Sequence, residues 1–354
     1  MPKTGEYVSR KQGCTGSMNA GVYIGDYQVR MVEREIPVPK EGEVLLKVSH
    51  IGICGTDMAI YHGNLSHRVK APLIMGHEFS GVVVETNGDI PFQIGERVVV
   101  EPTLSCGKCK PCRSGNYNVC KNVGFIGIEQ DGGFAEFVTV PYESLHRIPA
   151  KLSDVHAAVV EPLAVAVHAV NKSNLKLGDS VVIFGGGPIG LLIGLAAKEA
   201  GAGQIIVSDI SPYRLKKAEE LGFIAVNSKN TDIVAEVRAL TEQNGADIVF
   251  EVAGTPITAK QMVEVARIQG QIVVVSLFKQ PVPVDLLLMQ SQEISLITTR
   301  CYVAESFEKA IQLMATGRID VSPIISHILS LEEIAEGFAL MENPEKSIKI
   351  LIKP

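Results

Sequence analysis

The chain has 354 residues, of which 46% are apolar and 20% charged, so it is long enough for two domains and too apolar to be disordered. Its 33 basic and 39 acidic residues give a net charge of −6 without any run of five like charges. We therefore expect neither a nucleic acid nor a membrane as partner. The longest uncharged stretch, residues 180–197, contains five glycines and Pro188, which indicates a strand, a tight turn and a buried helix rather than a membrane span.

Residues 1–17 carry Lys3, Arg10 and Lys11 and lack an apolar core, so they do not resemble a secretory signal. We interpret them as a leader ahead of a natural start at Met18. The chain has seven cysteines, an odd number, and four of them fall within fifteen residues. Without a signal sequence, this pattern favours a reducing compartment and metal binding over disulfides, and it predicts a cytoplasmic protein.

The first half of the chain carries short β-rich runs separated by Gly, Pro and Asn turns. These runs predict a compact all-β body. They are VLLKV at 44–48, FSGVVVE at 79–85, ERVVVE at 96–101 and FAEFVTV at 134–140.

From about Leu163 onward, predicted strands and helices alternate, which is typical of an α/β fold with a doubly wound parallel sheet. The strands are expected at 181–184, 205–208, 247–252, 271–277 and 294–297, and the helices at 188–200, 212–221, 231–243 and 256–268. After Arg300, two helices at 304–315 and 331–341 and the apolar end 348–352 are expected to return to the first domain. The strand near 271–277 is apolar on both faces, and we expect it to be the last of the sheet, able to pair across a two-fold axis.

A glycine-rich turn follows the first strand of the alternating half. Gly185, Gly187 and Gly190 form GxGxxG between an apolar strand and a helix, and Asp209 closes the next strand nineteen residues later. Glycines let the backbone approach a pyrophosphate, and the helix N-terminus offers free N–H groups. Asp209 would bind ribose hydroxyls and repel a 2′-phosphate, so NAD is favoured over NADP. Arg214 is expected either over the adenine or on a solvated helix face.

Two groups of residues have the character of metal ligands. Cys106, Cys109, Cys112 and Cys120 lie in one polar loop, and four thiolates closing a tetrahedral shell indicate a structural zinc site. An iron–sulfur cluster or redox thiols are the alternatives. The second group is dispersed: Cys54 in ICGTD, His77 and Glu78 in GHE, and Glu161 in EPLAVAVHAV. None of these is persuasive singly.

Taken in order, GICGTD, GHEFSG, the four-cysteine loop, EPLAVAVHAV and GGGPIG resemble the zinc-containing medium-chain dehydrogenases over residues 18–354. EPLAVAVHAV is similar to the polyol (sorbitol or iditol) and butanediol dehydrogenases. The resemblance implies a GroES-like β-rich catalytic domain, residues 18–162 and 299–354, and a Rossmann coenzyme domain, residues 163–298.

The resemblance also implies roles for individual residues. Cys54, His77 and Glu78 match ligands of a catalytic zinc, and Glu161 matches a glutamate that binds the metal or holds its water. Thr56 matches the residue that accepts the alcohol proton, and Arg300 matches an arginine beside substrate and nicotinamide. The expected cofactor contacts are Gly185, Gly187, Pro188, Ile189, Gly190, Asp209, Arg214 and Leu277.

The chain departs from the family pattern at two positions. Ala59 stands where many relatives have a histidine that passes the proton on, so Tyr61, His62 or water would have to replace it. Asn87 stands where the family's GHExxGxxxxxG ends in glycine; asparagine tolerates a left-handed backbone and Gly88 follows, so only the turn is in question.

The sequence thus predicts an NAD- and zinc-dependent dehydrogenase, with one catalytic and one structural zinc per chain, that oxidises a secondary alcohol of a polyol or vicinal diol. The alternatives are a hydroxy acid, sugar acid or threonine-like amino alcohol as substrate, a metal-free nucleotide-binding relative, and a zinc-ribbon module. We expect a homo-oligomer, either a dimer or a tetramer.

Overall fold

The computed structural model describes residues 16–354. The predicted leader at residues 1–17 therefore lies outside the described residues apart from its last two positions. Throughout the described part of the chain, every helix is too short or too polar to cross a bilayer.

The first part of the chain is mostly antiparallel sheet, as its β-rich runs predict. Its strands are β1 Ser17–Gly25, β2 Gln28–Glu35, β3 Glu43–Gly52, β4 Leu73–Ile74, β5 Glu78–Thr86, β6 Arg97–Val100, β7 Thr103–Leu104, β8 Gly124–Phe125, β9 Phe137–Pro141 and β10 Leu145–Arg147. Its helices are α1 Gly55–Tyr61, α2 Lys110–Arg113, α3 Asp154–Ala157 and α4 Val160–Lys172.

The second part alternates strand and helix. Its strands are β11 Ser180–Phe184, β12 Gln204–Asp209, β13 Ile224–Asn227, β14 Ala246–Glu251, β15 Ala266–Val274 and β16 Ser295–Thr298. Its helices are α5 Pro188–Glu199, α6 Pro212–Glu220, α7 Ile233–Leu240, α8 Pro256–Val265 and α9 Leu286–Ser291. The chain ends with α10 Ala304–Ala315, β17 Ile325–Ser330, α11 Ile334–Met341 and β18 Lys349–Lys353.

The helix boundaries of the second part follow their sequence signals. Helix α6 starts after Ser211, whose hydroxyl accepts a hydrogen bond from the Arg214 backbone N–H at 3.3 Å, with Pro212 in the first turn. Gly222 adopts a left-handed φ of 82° just beyond the helix end, which is the conformation that stops a helix at low cost. Strand β11 is buried at all five positions, as expected of a strand with helices on both faces.

The six strands of the second part form one parallel sheet in the order β13-β12-β11-β14-β15-β16. The strand order reverses between β11 and β14, and in such sheets a ligand crevice opens at that point beyond the carboxyl ends of the strands. The predicted fold class is therefore confirmed. The bounds of the two domains at 162/163 and 298/299 stay a prediction.

One prediction about this sheet is wrong. The strand near 271–277 ends at Val274 and is not the last, because β16 pairs with it in parallel and forms the edge of the sheet. Residues 270–273 of β15 are all buried, as suits a place between two neighbouring strands, whereas three of the four residues of β16 are exposed.

The end of the chain returns to the first part, as predicted. Strand β18 pairs antiparallel with β3, with Leu351 opposite Gly52 and Ile352 opposite Ile51. The resulting seven-stranded sheet has the order β10-β6-β5-β3-β18-β17, with β9 also on β3. This closure brings residues near 349 against those near 53 and 78.

Candidate active site

Cys54, His77 and Glu78 meet because of strand pairing. Gly52 at the end of β3 lies opposite Glu78 at the start of β5 in antiparallel register. The residues that follow β3 and those that precede β5 are therefore neighbours. One potential ligand atom from each of Cys54, His77 and Glu78 lies within 4.8 Å of the others, and both His77 and Glu78 are buried.

Asp57 supports this cluster, and the sequence analysis missed it. Its side chain has no exposed surface, and its Oδ2 accepts a 2.8 Å hydrogen bond from the Cys54 backbone N–H. Its Oδ1 lies 3.7 Å from Nδ1 of His77. Burial opposes a charged imidazole, but Asp57 and Cys54 outweigh it and raise the pKa of His77. Such a carboxylate fixes the orientation of a metal-binding histidine.

Lys349 on β18 is a second residue that the sequence analysis missed. Its Nζ donates a 3.0 Å hydrogen bond to the carbonyl oxygen of Ile53 and forms an ion pair with Glu78, and both charged side chains are 2% exposed. The fit is close: a Cβ at Gly52 would fall 2.7 Å from Cε of Lys349. Burial opposes the charge of Lys349, but Glu78 outweighs it and raises the lysine pKa.

Glu161 lies beside this cluster in the first turn of α4 and is 8% exposed. Its carboxylate is not among the atoms that lie within 4.8 Å of one another. Burial, followed by the charge of Glu78, raises its pKa to about 7. Tyr302 is fully buried nearby, and burial and Glu161 raise its pKa well above the ordinary value.

The donor set fits a catalytic zinc. A thiol, an imidazole and a carboxyl are ligands that zinc accepts, and three protein ligands leave a position for substrate. Nδ1 of His77 and Oδ1 of Asp57 are buried and face each other at 3.7 Å, and neither has a hydrogen-bond partner among the described residues, so the carboxylate is placed to orient the imidazole for a metal.

The four-cysteine loop is assembled as predicted. Its ligand atoms lie within 4.8 Å of one another, with Sγ of Cys109 at 3.3 Å from that of Cys112 and 3.9 Å from that of Cys120. All six cysteines of residues 16–354 are free thiols. Backbone N–H groups of Cys112 and Lys121 lower the pKa of Cys109 to about 6, which favours the thiolate that a metal needs. The site fits a structural zinc.

The glycine-rich turn has the predicted shape. Gly185 has a φ of 106°, and a Cβ at Gly190 would fall 3.0 Å from the carbonyl carbon of Gly185, so the turn requires glycine at both positions. Gly187 precedes the first turn of α5, which contains Pro188 and Ile189.

Asp209 closes β12 beside this turn. Its Oδ2 accepts a 2.7 Å hydrogen bond from the backbone N–H of Gly186, and its Oδ1 accepts from Ile210 and Ser211 at 2.7 and 2.9 Å. Arg214 is half-buried with its Nη1 3.8 Å from Asp209 Oδ2, so it lies against the crevice and not on a solvated face. Leu277, which follows β15, is 85% exposed at the same edge of the sheet.

The remaining predicted residues lie outside the metal cluster. Thr56 is half-buried in the first turn of α1. Arg300 is exposed, and its carbonyl oxygen accepts a 2.8 Å hydrogen bond from Nδ2 of buried Asn118, a contact the sequence analysis missed. His62, at the end of α1, forms a hydrogen bond with the carboxylate of Glu342 through Nε2, and its ring centroid lies 5.6 Å from that of Tyr27.

Asn87 does not adopt the left-handed backbone that its place in the motif allows. Gly88 takes the positive φ, at 107°, and Nδ2 of Asn87 binds the carbonyl oxygen of Pro39 at 2.8 Å. The departure from the family pattern therefore leaves the turn intact.

Comparison with known proteins agrees with this geometry. Residues 40–150 match the alcohol dehydrogenase GroES-like domain family, and residues 188–316 match the zinc-binding dehydrogenase family. A 2-dehydro-3-deoxy-L-galactonate 5-dehydrogenase from Pseudoalteromonas atlantica is 41% identical, with 95% of this chain and 98% of that protein covered. A sorbitol dehydrogenase from Halalkalibacterium halodurans is 38% identical, with coverage of 91% and 94%.

Solved structures give the same result. The crystal structure of 2R,3R-butanediol dehydrogenase from Bacillus subtilis is 36% identical with a TM-score of 0.89, covering 96% of this chain and all of that one. A zinc-binding dehydrogenase structure from Sinorhizobium meliloti, bound to NADP, is 33% identical with a TM-score of 0.90 and the same coverage.

The chain therefore belongs to the zinc-containing medium-chain dehydrogenases, with a GroES-like domain and a Rossmann-type parallel sheet. Within that superfamily it stands in the polyol and butanediol dehydrogenase-like branch. It is an oxidoreductase that acts on an alcohol group, with zinc and a nicotinamide dinucleotide as cofactors.

Proposed function

We propose that this protein reversibly oxidises a secondary alcohol of a polyol or vicinal diol to a ketone, with hydride transfer to NAD. The observation that carries the proposal is the convergence of Cys54, His77 and Glu78 within 4.8 Å. A metal-free relative would have no need of this arrangement. The net charge of −6 counts against a nucleic-acid-binding zinc module.

We assign roles to the residues of the site on this basis. Zinc held by Cys54, His77 and Glu78 would lower the pKa of an alcohol hydroxyl. Thr56, two residues past Cys54, would accept the proton of the substrate hydroxyl and pass its own hydroxyl proton on to water, Tyr61 or His62. Glu161, buried beside these ligands in the first turn of α4, would bind the metal or hold its water. Asp57 orients His77, and Lys349 holds Glu78 in place.

The preference for NAD over NADP depends on Asp209. Its carboxylate closes β12 beside the glycine-rich turn, where the ribose of a dinucleotide binds in folds of this kind. A 2′-phosphate there would meet a negative charge, whereas ribose hydroxyls would donate to it. Nη1 of Arg214 lies 3.8 Å from Oδ2 of Asp209, so the carboxylate partly offsets the positive charge that a 2′-phosphate would need.

A sugar acid is a second candidate substrate, and Arg300 favours it. Its side chain is exposed and forms no ion pair within residues 16–354, so it is available to a substrate carboxylate. The relative from Pseudoalteromonas atlantica is named for a substrate of this class.

We also propose a cytoplasmic homo-oligomer, a dimer or a tetramer. Strand β16 bonds to β15 on one side only, and Leu286, Leu287 and Leu296 are exposed in the same region. An unpaired strand edge with apolar neighbours is typical of a surface that meets a second copy.

The experiment is a substrate panel followed by NADH absorbance. The purified zinc-loaded protein is given polyols, vicinal diols, sugar acids and threonine with NAD, and separately with NADP. Turnover of a polyol or diol with NAD supports the first proposal, and turnover restricted to sugar acids supports the second. The absence of turnover on every alcohol of the panel would contradict both.

A further inference from the structure

Glu251 is a buried carboxylate that the proposed chemistry does not use. It is the last residue of β14 and has no exposed surface. Its Oε1 accepts hydrogen bonds from the backbone N–H groups of Ala253 at 3.1 Å and Gly254 at 2.8 Å and from Oγ1 of Thr258 at 2.8 Å, and its Oε2 accepts from Oγ of Ser276. A carboxylate with four donors is fully satisfied, and burying it otherwise is costly.

Apart from Thr258 in α8, these donors come from two different loops. Ala253 and Gly254 follow β14, whereas Ser276 follows β15. The backbone of Glu251 also binds the loop after β15. Its carbonyl oxygen accepts hydrogen bonds from the backbone N–H groups of Val275 at 2.9 Å and Ser276 at 3.1 Å. Glu251 therefore fixes the spacing of both loops at the carboxyl edge of the sheet.

The loop after β14 lies between the glycine-rich turn and the loop after β15. A Cβ at Gly185 would fall 3.2 Å from the backbone nitrogen of Ala253. Gly254 has a φ of 68°, and a Cβ there would fall 3.3 Å from the carbonyl oxygen of Leu277. A shift of the loop after β14 would therefore displace both the glycine-rich turn and the loop after β15.

The sheet order assigns these loops to one half of the crevice. Asp209 on β12 lies on one side of β11 and marks the adenosine half of the dinucleotide. Strands β14 and β15 lie on the opposite side of β11, so the loops held by Glu251 would face the nicotinamide half of a bound dinucleotide. The next segment leads directly to Arg300, since the N–H of Thr299 binds the carbonyl oxygen of Val274 at 3.0 Å.

We propose that Glu251 is a positioning residue for the nicotinamide half of the cofactor, acting through the loops of Gly254 and Ser276 without touching the dinucleotide. The inference rests on the proposed use of a nicotinamide dinucleotide. It adds a residue whose effect is confined to one end of that cofactor.

The test compares NADH with ADP-ribose, which lacks the nicotinamide. In Glu251→Gln an amide NH₂ replaces one acceptor and faces donors, so the loops separate. We expect the Kd for NADH to rise about tenfold and the Kd for ADP-ribose to stay within about twofold. Fluorescence titration gives the first value and calorimetry the second, both well below the thermal midpoint.

Asp247→Asn is the matched control. Asp247 lies on the same strand at the opposite end, where its Oδ2 accepts hydrogen bonds from Ser180 N and Oγ at 2.8 and 2.7 Å. The Asp247→Asn variant loses comparable hydrogen bonds at a place away from the crevice. We therefore expect its thermal midpoint to fall and its Kd values for NADH and ADP-ribose to stay unchanged. Equal behaviour of the two variants, or equal weakening of NADH and ADP-ribose in Glu251→Gln, would overturn the inference.

Ser276→Ala provides a second route if Glu251→Gln does not fold. It removes one donor and frees only the loop after β15, so we expect about a threefold rise in the NADH Kd with ADP-ribose unchanged. An unchanged NADH Kd in this variant would also overturn the inference. Because the readout is binding, a protein that binds NADH yet oxidises no alcohol would contradict the proposed function alone.

Discussion

Lys349 and Glu78 form a buried ion pair between residues 271 positions apart in the chain. The pairing of β18 with β3 brings the lysine to the site, where Ile53 provides its second acceptor. A buried charge whose partner is removed is strongly destabilising. The last strand of the chain is thus part of the site that begins at Cys54.

Replacing this lysine tests the pair. In the zinc-depleted protein we expect Lys349→Met to lower the free energy of unfolding by about 3–5 kcal/mol, because Glu78 is left buried and uncompensated. With zinc present the loss should be smaller, since the ion supplies positive charge. Denaturant unfolding with and without a chelator measures both values.

Lys353→Met is the control for this prediction. Lys353 is exposed at the end of the same strand, and we expect its loss to change stability by about 0.5 kcal/mol or less. Equal effects of the two substitutions would mean that the ion pair contributes nothing particular to the site.

Glu161→Ala should separate catalysis from cofactor binding. The residue lies beside the metal cluster and apart from the glycine-rich turn, so we expect turnover to fall about a hundredfold with an unchanged Kd for NADH. Steady-state kinetics and fluorescence titration provide the two readouts. Turnover equal to that of the unmodified protein would remove Glu161 from the mechanism.

Asp209→Ser should alter the choice of dinucleotide. Removing the carboxylate eliminates repulsion of a 2′-phosphate and frees Arg214, so we expect the ratio of kcat/KM for NAD to that for NADP to fall at least about tenfold. The ratio is measured with a single alcohol substrate under the same conditions. If the ratio does not change, ribose selection lies elsewhere in the crevice.

Local patterns predicted much of this protein because the relevant contacts are close in sequence. The turn at Gly185–Gly190 and the loop at Cys106–Cys120 each lie within one short segment, and the structure assembles both as expected. The strand at 271–277 was misplaced in the sheet because an apolar strand does not reveal which neighbours it has.

The residues that support the site were harder to find. Asp57 leaves a faint signal, a carboxylate three residues after Cys54 that binds its N–H as in a helix cap. Lys349 and Glu251 leave no comparable signal, since a lysine in IKILI and a glutamate ending a strand are both common. Their roles depend on strand pairing that local sequence patterns do not predict.

The central claim is that the chain holds two zinc ions in two different environments, and metal analysis tests it most directly. We expect about two zinc ions per chain, with Cys54→Ser and Cys112→Ser each losing about one. Of these two variants, only Cys54→Ser should lose alcohol oxidation, and the Cys54→Ser protein should still bind NADH. A protein that holds one zinc ion, unaffected by Cys54→Ser, would contradict the account.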